Sequence, residues 1–431
     1  MDLRRTVLSW LLAALLLMMI CSGCGSEVGA ISLPPEIGGA PPDETERMTV
    51  DVYWDATYSM QGYTRLSAGN AYRTLPDNLG DIATSLGEVH FYRFGAEIQP
   101  VEGREYRRFS TPEYHDELIT SVGNVVGSAD PQHLSVIVTD LFESDADWSN
   151  VTQQLKEKYF SKHLAVAVIG IKNSFMGDIF DVGLNAAKYR YNSGDDPAKY
   201  RPFYLFLMGP ENQIGEFLEK WRSHQSGHAE MQYVVFSEHF APQAEKIDFS
   251  QAEMENIFED DRLEKADRRL MEIGIADMSE PARLKIVVDC RPAFAACPID
   301  SGKMHLISRV FAMNEDVTWD VIGDENSIPM SFSKHEGDEN AYDIELQIQP
   351  EQVLRPGSIN VLQVQVVPTA RSVALPSWVE QWNMPDIDIS PEAFDGSKTV
   401  NLQHVMASLK DSMLISSHPA LAEMYLLIDA R

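Results

Sequence analysis

VDVYWDATYSMQG (Val50–Gly62) begins as an apolar strand, Val50, Val52, Tyr53 and Trp54, and runs directly into Asp55-Ala56-Thr57-Tyr58-Ser59-Met60. An acid followed at +2 and +4 by hydroxyls, where a strand ends, puts three hard oxygen donors on one tight loop. A small octahedral cation, Mg²⁺ or Mn²⁺, takes such oxygens and keeps positions for water or a partner's ligand. A D-x-[ST]-x-S string alone is a weak signal, so its surroundings decide how it is read.

From Met48 onward strands alternate with helical segments. Leu66–Leu86 reads as helix in two pieces, broken near Pro76. Glu88–Phe94 alternates as a strand, with Glu97–Val101 as a returning edge. Pro112–Val126 reads as a helix with an apolar stripe of Leu118, Ile119, Val122 and Val126. Leu134–Val138 is a continuous apolar run ending in Thr139-Asp140. Trp148–His163 is an amphipathic helix with Ser149 as a candidate N-cap. Leu164–Ile171 and Phe203–Met208 are further apolar runs, Ile214–His224 is helical, and Tyr233–Phe236 closes the series as a strand.

Continuous apolar strands separated by helices predict an α/β fold, doubly wound around a mostly parallel sheet with both faces covered. In such folds ligands bind beyond the carboxyl ends of the strands. Asp55 and Asp140 both stand at that end of a predicted strand.

VDVYWDATYSMQGY resembles the opening element of a von Willebrand factor A-type domain, whose metal-ion-dependent adhesion site has the form D-x-S-x-S. VIVTDLFES resembles the strand and acidic loop that complete that site. The resemblance covers residues 48 to roughly 240 and follows the family's order of elements. It implies that Asp55, Thr57 and Ser59 hold the ion from the first loop, and Asp140 directly or through water from the third. A threonine on the middle loop normally completes the set; Thr111, before Pro112, is the residue expected there, with Ser110 as the alternative. Thr57 stands where serine is commoner and keeps the hydroxyl. Asp51, inside the opening strand, is read as near a sheet edge or hydrogen-bonded.

In such a site a partner's carboxylate completes the metal's coordination, so binding is expected and catalysis is not. His90, His115, His133 and His163 have no catalytic spacing, and His115, closest to the middle loop, is read as a surface or helix-cap residue rather than a ligand. No G-x-S-x-G or P-loop string occurs, and an aspartate-phosphatase acid is missing where Thr57 stands. Asp140 and Asp145 could form a second acidic set, though a solvated or capping loop is the commoner outcome. Tyr58 and Tyr63 are candidate partner contacts, while Tyr53 and Trp54 suit the core. Two other classes stay open: a metal-dependent envelope hydrolase, and a structural envelope scaffold with a vestigial site.

The chain's first residues read as an export signal. Arg4 and Arg5 precede the apolar run Val7–Ile20, then Cys21-Ser22-Gly23-Cys24. Ser22-Gly23-Cys24 resembles a bacterial lipobox, which implies cleavage after Gly23, leaving a diacylglycerol, palmitate-type anchor on Cys24. The expected localisation is the outer face of a bacterial cell membrane. Residues 24–47, rich in Gly, Pro and acids, read as a flexible tether.

Formal charge is −30; removing residues 1–23, with Asp2, Arg4 and Arg5, makes it −31. Such a surface argues against a nucleic-acid partner. Cys290 and Cys297 are the remaining thiols, and an exported chain allows them to pair as a disulfide. Residues 241–280 are strongly charged and predict a helical connector. Residues 281–431 read as a β-rich domain of short alternating strands, an antiparallel sandwich in pattern. Within it Thr399–Leu414 is expected as an amphipathic helix and MYLLID as a last strand. The expected partner is a carboxylate-bearing protein ligand in the envelope or outside the cell.

Overall fold

Strand β1 (Met48–Asp55) is buried on both sides. Val50, Val52 and Trp54 face one core and Tyr53 faces the other. The computed structural model describes residues 48–66, 70–141, 148–182, 187–224, 230–237, 252–259, 270–289, 298–323, 327–338, 341–385, 390, 393–417 and 420–430. The export signal, the tether, Cys24, Asp145, Cys290 and Cys297 lie outside the described residues.

Among those residues the first unit is a seven-stranded mixed sheet in the order β3-β2-β1-β4-β8-β5-β9. Its strands are β1, β2 (Gly87–Phe94), β3 (Ile98–Val101), β4 (Leu134–Thr139), β5 (Ala165–Asn173), β8 (Arg201–Gly209) and β9 (Met231–Phe236). Strand β1 runs parallel to β2 and β4, with Trp54 opposite Val138, so the ends carrying Asp55 and Asp140 adjoin. Helix α1 (Tyr58–Gln61) follows the first loop. One face is covered by α2 (Ala71–Leu86) and α5 (Glu211–His224), the other by α3 (Val122–Ser128) and α4 (Trp148–Lys158).

The sheet is α/β as expected, but it is mixed rather than mostly parallel: β8 enters antiparallel between β4 and β5. The connection explains the direction. Residues after β5 form a hairpin, β6 (Met176–Val182) and β7 (Ala187–Asn192), and among the described residues no α-helix crosses back to the starting edge before β8. The chain therefore returns where it stopped. That hairpin leaves from the same end of the sheet as Asp55.

Two local expectations change. Ala71–Leu86 is one helix despite Pro76, with Asn70 accepting at its N-terminus from Arg73 N–H (3.1 Å). Residues 112–126 are not one helix: a short 3₁₀ turn at Pro112–Tyr114 is followed by an extended stretch before α3, and Ser121 caps α3. Asp51 lies on an interior strand, so of its two readings the sheet edge falls and the hydrogen-bonded one holds. Its buried carboxylate takes Nδ1 of His90 (2.9 Å) on β2 and Nδ1 of His133 (2.8 Å) before β4.

The second unit has two sheets around one shared core. The first is β10 (Glu253–Glu255), β13 (Ala282–Asp289), β17 (Ala341–Ile348) and β16 (Met330–Lys334). The second is β11 (Ile257–Glu259), β12 (Leu270–Ile275), β21 (Ala422–Asp429), β18 (Ile359–Val367), β14 (His305–Met313) and β15 (Trp319–Val321). Pairing is antiparallel except between β12 and β21.

The helical connector is corrected where it is described: 253–255, 257–259 and 270–275 are strand and 276–280 is turn, while 241–251 and 260–269 lie outside the described residues. At Asn256, with φ of 58°, the chain passes from β10 in one sheet to β11 in the other, and the Asn256 amide donates to the Asp277 and Glu280 carbonyls. Sheet pairing and burial of Ile257, Met271 and Ile273 overrule the helix-forming composition.

The units also share chain. After β18 the backbone returns to the α/β sheet as α7 (Ser377–Trp382) and α8 (Leu402–Ser417), linked by the short paired strands β19 (Asn383–Met384) and β20 (Thr399–Val400), the short α6 (Pro350–Val353) having preceded β18. Trp378, Val379, Trp382, Val405, Leu409 and Met413 join the same core as α3, α4 and the sheet residues Phe206 and Met208. Gly170 on β5 makes room: a Cβ there would meet Trp382 at 2.6 Å. The chain then crosses back to supply β21. A boundary at 281 therefore does not separate two independent cores.

Candidate metal centre

The first loop leaves β1 at Asp55 and turns at once into α1, which brings its hydroxyls back over the carboxylate. Asp55 Oδ1 accepts from the Thr57 backbone N–H (3.0 Å) and the Thr57 hydroxyl (2.6 Å), and Thr57 Oγ1 lies 3.0 Å from Ser59 Oγ. Asp55 Oδ2 accepts from the Thr139 hydroxyl (3.0 Å), across from β4. Asp140 follows immediately and is buried. Thr139 Oγ1 in turn accepts from the Leu141 N–H (3.2 Å), and Leu141 takes φ of 61° with its side chain in the core. That left-handed turn in a non-glycine residue is strain held by packing, as is common where a loop must aim a functional group.

The middle loop is fastened to the first. Glu117 N–H donates to the Ala56 carbonyl (3.0 Å), and Tyr58 N–H donates to the Glu117 carbonyl (3.1 Å). Gly95 leaves the space that the Glu117 side chain fills. Arg93 holds the acids of Asp116 and Glu117. Three residues on, the buried Thr120 hydroxyl donates to Thr57 Oγ1 (3.2 Å).

Asp55, Thr57, Ser59 and Asp140 are thus brought to one place. Thr111 and Ser110 turn their hydroxyls to other partners. The Thr111 hydroxyl donates to the Arg108 carbonyl (2.8 Å) and that of Ser110 to the Arg107 carbonyl (3.5 Å). The middle-loop hydroxyl at the cluster is Thr120. The signal for it was Thr120-Ser121 ahead of a helix start, masked because residues 112–126 read as a continuous helix. Tyr63 is also corrected: it is fully buried, its hydroxyl donating to the Pro202 carbonyl (2.6 Å). Tyr58 remains outside, 43% exposed.

His115 is not a surface residue: its backbone N–H caps the Pro112–Tyr114 turn by donating to the Pro112 carbonyl (3.2 Å), and its ring points inward. It is buried, its Nε2 2.9 Å from the Phe109 carbonyl, and burial pushes its pKa down to about 4. It is neutral at pH 7 and braces the underside of the middle loop, beside Tyr72, which takes the Trp54 indole N–H (2.6 Å).

Burial, then the nearby Asp140 carboxylate, raise the Asp55 pKa against the lowering effect of the Thr57 and Thr139 hydrogen bonds. Two acids in one buried place resist ionising together, and a divalent cation reverses that by pairing with both. The donors are all hard oxygens, two carboxylates and the hydroxyls of Thr57, Ser59 and Thr120. This set fits Mg²⁺ or Mn²⁺ and fits soft metals poorly.

No protein-family model, curated protein or solved structure matches this chain.

Proposed function

We propose that this chain is a lipid-anchored surface protein of bacterial type. In this reading its α/β unit is a von Willebrand A-type domain and its second unit an accessory β-sandwich. It binds a carboxylate-bearing protein ligand through Mg²⁺ or Mn²⁺. The ion would be held by Asp55, Thr57 and Ser59 from the first loop, Thr120 from the middle loop and Asp140 from the third. When bound, the ion offers a partner's Asp or Glu an electron-poor coordination position, since only two of these five side chains are anionic.

The observation that carries this reading is the Thr120–Thr57 contact. It ties the middle loop to the first, while the Thr139–Asp55 bond at the adjoining ends of β1 and β4 brings in the third, so loops far apart in sequence share one buried oxygen cluster. A chance D-x-T-x-S string gives no reason for a third loop to supply a hydroxyl.

Thermal unfolding with Mg²⁺, with Mn²⁺ and with EDTA tests it. Divalent stabilisation that disappears in Asp140→Ala, with partner capture from envelope extract lost in EDTA, is the expected result. An identical melting temperature in all three conditions would remove the metal, and hydrolysis of a generic ester abolished by Asp140→Ala would replace binding with catalysis.

A further inference from the structure

Most large apolar side chains of the described residues are covered, and seven stand out as exposed. Three of the seven border the oxygen cluster: Leu118 at 82% exposure, Ile119 at 51% and Tyr58 at 43%. Their placement is not loose. Leu118 and Ile119 lie between Glu117, bonded to both flanks of Thr57, and Thr120, whose hydroxyl reaches Thr57. Tyr58 sits between Thr57 and Ser59, and its own N–H is bonded to Glu117. A backbone clamped on both sides thus holds bulky apolar groups out in water around a buried polar centre. Rigid display lowers the ordering cost of association, and contiguous exposed apolar groups of this kind mark interaction sites.

Beside Tyr58 lies a pocket of about 270 Å³ between the first loop and the β6–β7 hairpin. Gly62 and Gly177 let the two backbones approach: a Cβ on Gly177 would meet Gly62 Cα at 2.9 Å. Arg65, Lys188, Asp178, Tyr58 and Phe180 line it. Lys188 pairs with Asp178 (2.9 Å), Arg190 stands 3.7 Å from the same acid, and Arg65 is exposed with its guanidinium on Gln61. Among the described side chains here, Arg65, Lys188 and Arg190 stand against Asp178, a local excess of positive charge on a chain whose formal charge is −30. An anionic group that the rest of this surface repels is drawn to this spot.

We infer that the rim of the cluster, Tyr58, Leu118 and Ile119 together with Arg65 and Lys188, is a docking surface for a protein segment. In that segment an acidic residue is flanked by bulky apolar side chains, with a second acidic residue nearby. The inference rests on the metal reading above and specifies its ligand: the first acid meets the ion, the apolar neighbours cover Leu118 and Ile119, and the second acid enters the pocket. A free small carboxylate or a polysaccharide leaves the apolar rim uncovered and is a poorer match.

The test pans a phage-displayed random-peptide library on the full-length chain in detergent with Mg²⁺, eluting with EDTA. An enriched peptide is then measured against the double variants Leu118→Ser/Ile119→Ser and Arg65→Glu/Lys188→Glu. These positions are exposed, so both variants should keep the wild-type Mg²⁺-dependent rise in melting temperature. The expected peptides combine Asp or Glu with Leu, Ile or Phe, and bind each variant more weakly by roughly tenfold or more. Intact Mg²⁺ stabilisation with peptides that bind the variants as tightly as wild type, or with no peptide enriched, overturns this inference alone. Absence of Mg²⁺ stabilisation in the wild-type chain overturns the metal reading and this inference with it.

Discussion

The hydroxyl of Thr120 donates to the hydroxyl of Thr57 at 3.2 Å, which makes the middle loop part of the oxygen cluster. Thr120→Val keeps the shape and removes the oxygen. Mg²⁺ affinity measured by calorimetry should fall about tenfold or more, on the order of 1.4 kcal/mol. Thr111→Val should leave it unchanged, since that hydroxyl serves the Arg108 carbonyl. Equal losses in the two variants would mean that Thr120 holds structure only.

Asp140 presents the opposite case, a group whose removal should help the metal-free fold. Two carboxylates share a buried place, and each disfavours the other's charge. Asp140→Asn keeps the volume and removes that repulsion. Unfolding in EDTA at pH 7.5 should show a gain on the order of 1 kcal/mol, and added Mg²⁺ should give no further rise. A loss in EDTA would show that the carboxylate is needed for folding.

These two predictions mark what was legible in the sequence and what was not. Asp55 and Asp140 were legible because each stands at the end of a mostly apolar strand, a pattern that needs no knowledge of neighbours. Thr120 was hidden by Leu118, Ile119, Val122 and Val126, whose spacing imitates the buried stripe of a helix. Val122 and Val126 are buried, but Leu118 and Ile119 point to solvent. Periodicity arguments assume that apolar residues seek the core, and they fail where an apolar residue belongs to an exposed surface. The direction of β8 was illegible for another reason, because strand direction depends on the path of the connection. The strand at 270–275 was illegible because its partner β21 is distant in sequence.

Titration of His115 gives a third test. Its folded pKa of about 4 lies below the ordinary 6.5, so the unfolded chain takes up the proton first. The stability tied to neutral His115 is therefore present above pH 6.5 and is lost as pH falls toward 4. Its full size is on the order of 3 kcal/mol. Asp55 works the other way in EDTA: its raised pKa favours the fold at low pH and weakens it as pH rises from the ordinary carboxylate range. So does His90, raised first by its hydrogen bond to Asp51, whose contribution is full below 6.5 and fades as pH rises. The informative quantity is the difference between wild type and His115→Gln, which can still donate toward the Phe109 carbonyl. Urea unfolding at pH 7.5 and 5.0 should show a smaller acid-side loss in the variant. Parallel curves would show that His115 does not titrate in the unfolding equilibrium.

The return of α7 and α8 to the α/β sheet predicts how the molecule unfolds. Gly170 lies against Trp382, and the Tyr204 hydroxyl lies 2.8 Å from the Thr399 hydroxyl, so the cap is fixed to β5 and β8 by both packing and polar contact. The chain passes from the first unit to the second and back before ending as β21, in the middle of the six-stranded sheet. Neither unit can lose its last element without pulling on the other. Gly170→Ala forces a methyl into the indole and should cost about 1–3 kcal/mol. Trp382→Ala empties the same contact and should cost about 3–5 kcal/mol. In both variants calorimetry should show one transition moved to lower temperature as a whole, and residues 48–240 expressed alone should not give a cooperatively folded product. Two separate transitions, with only the first displaced, would show that the shared segment joins the units without coupling them.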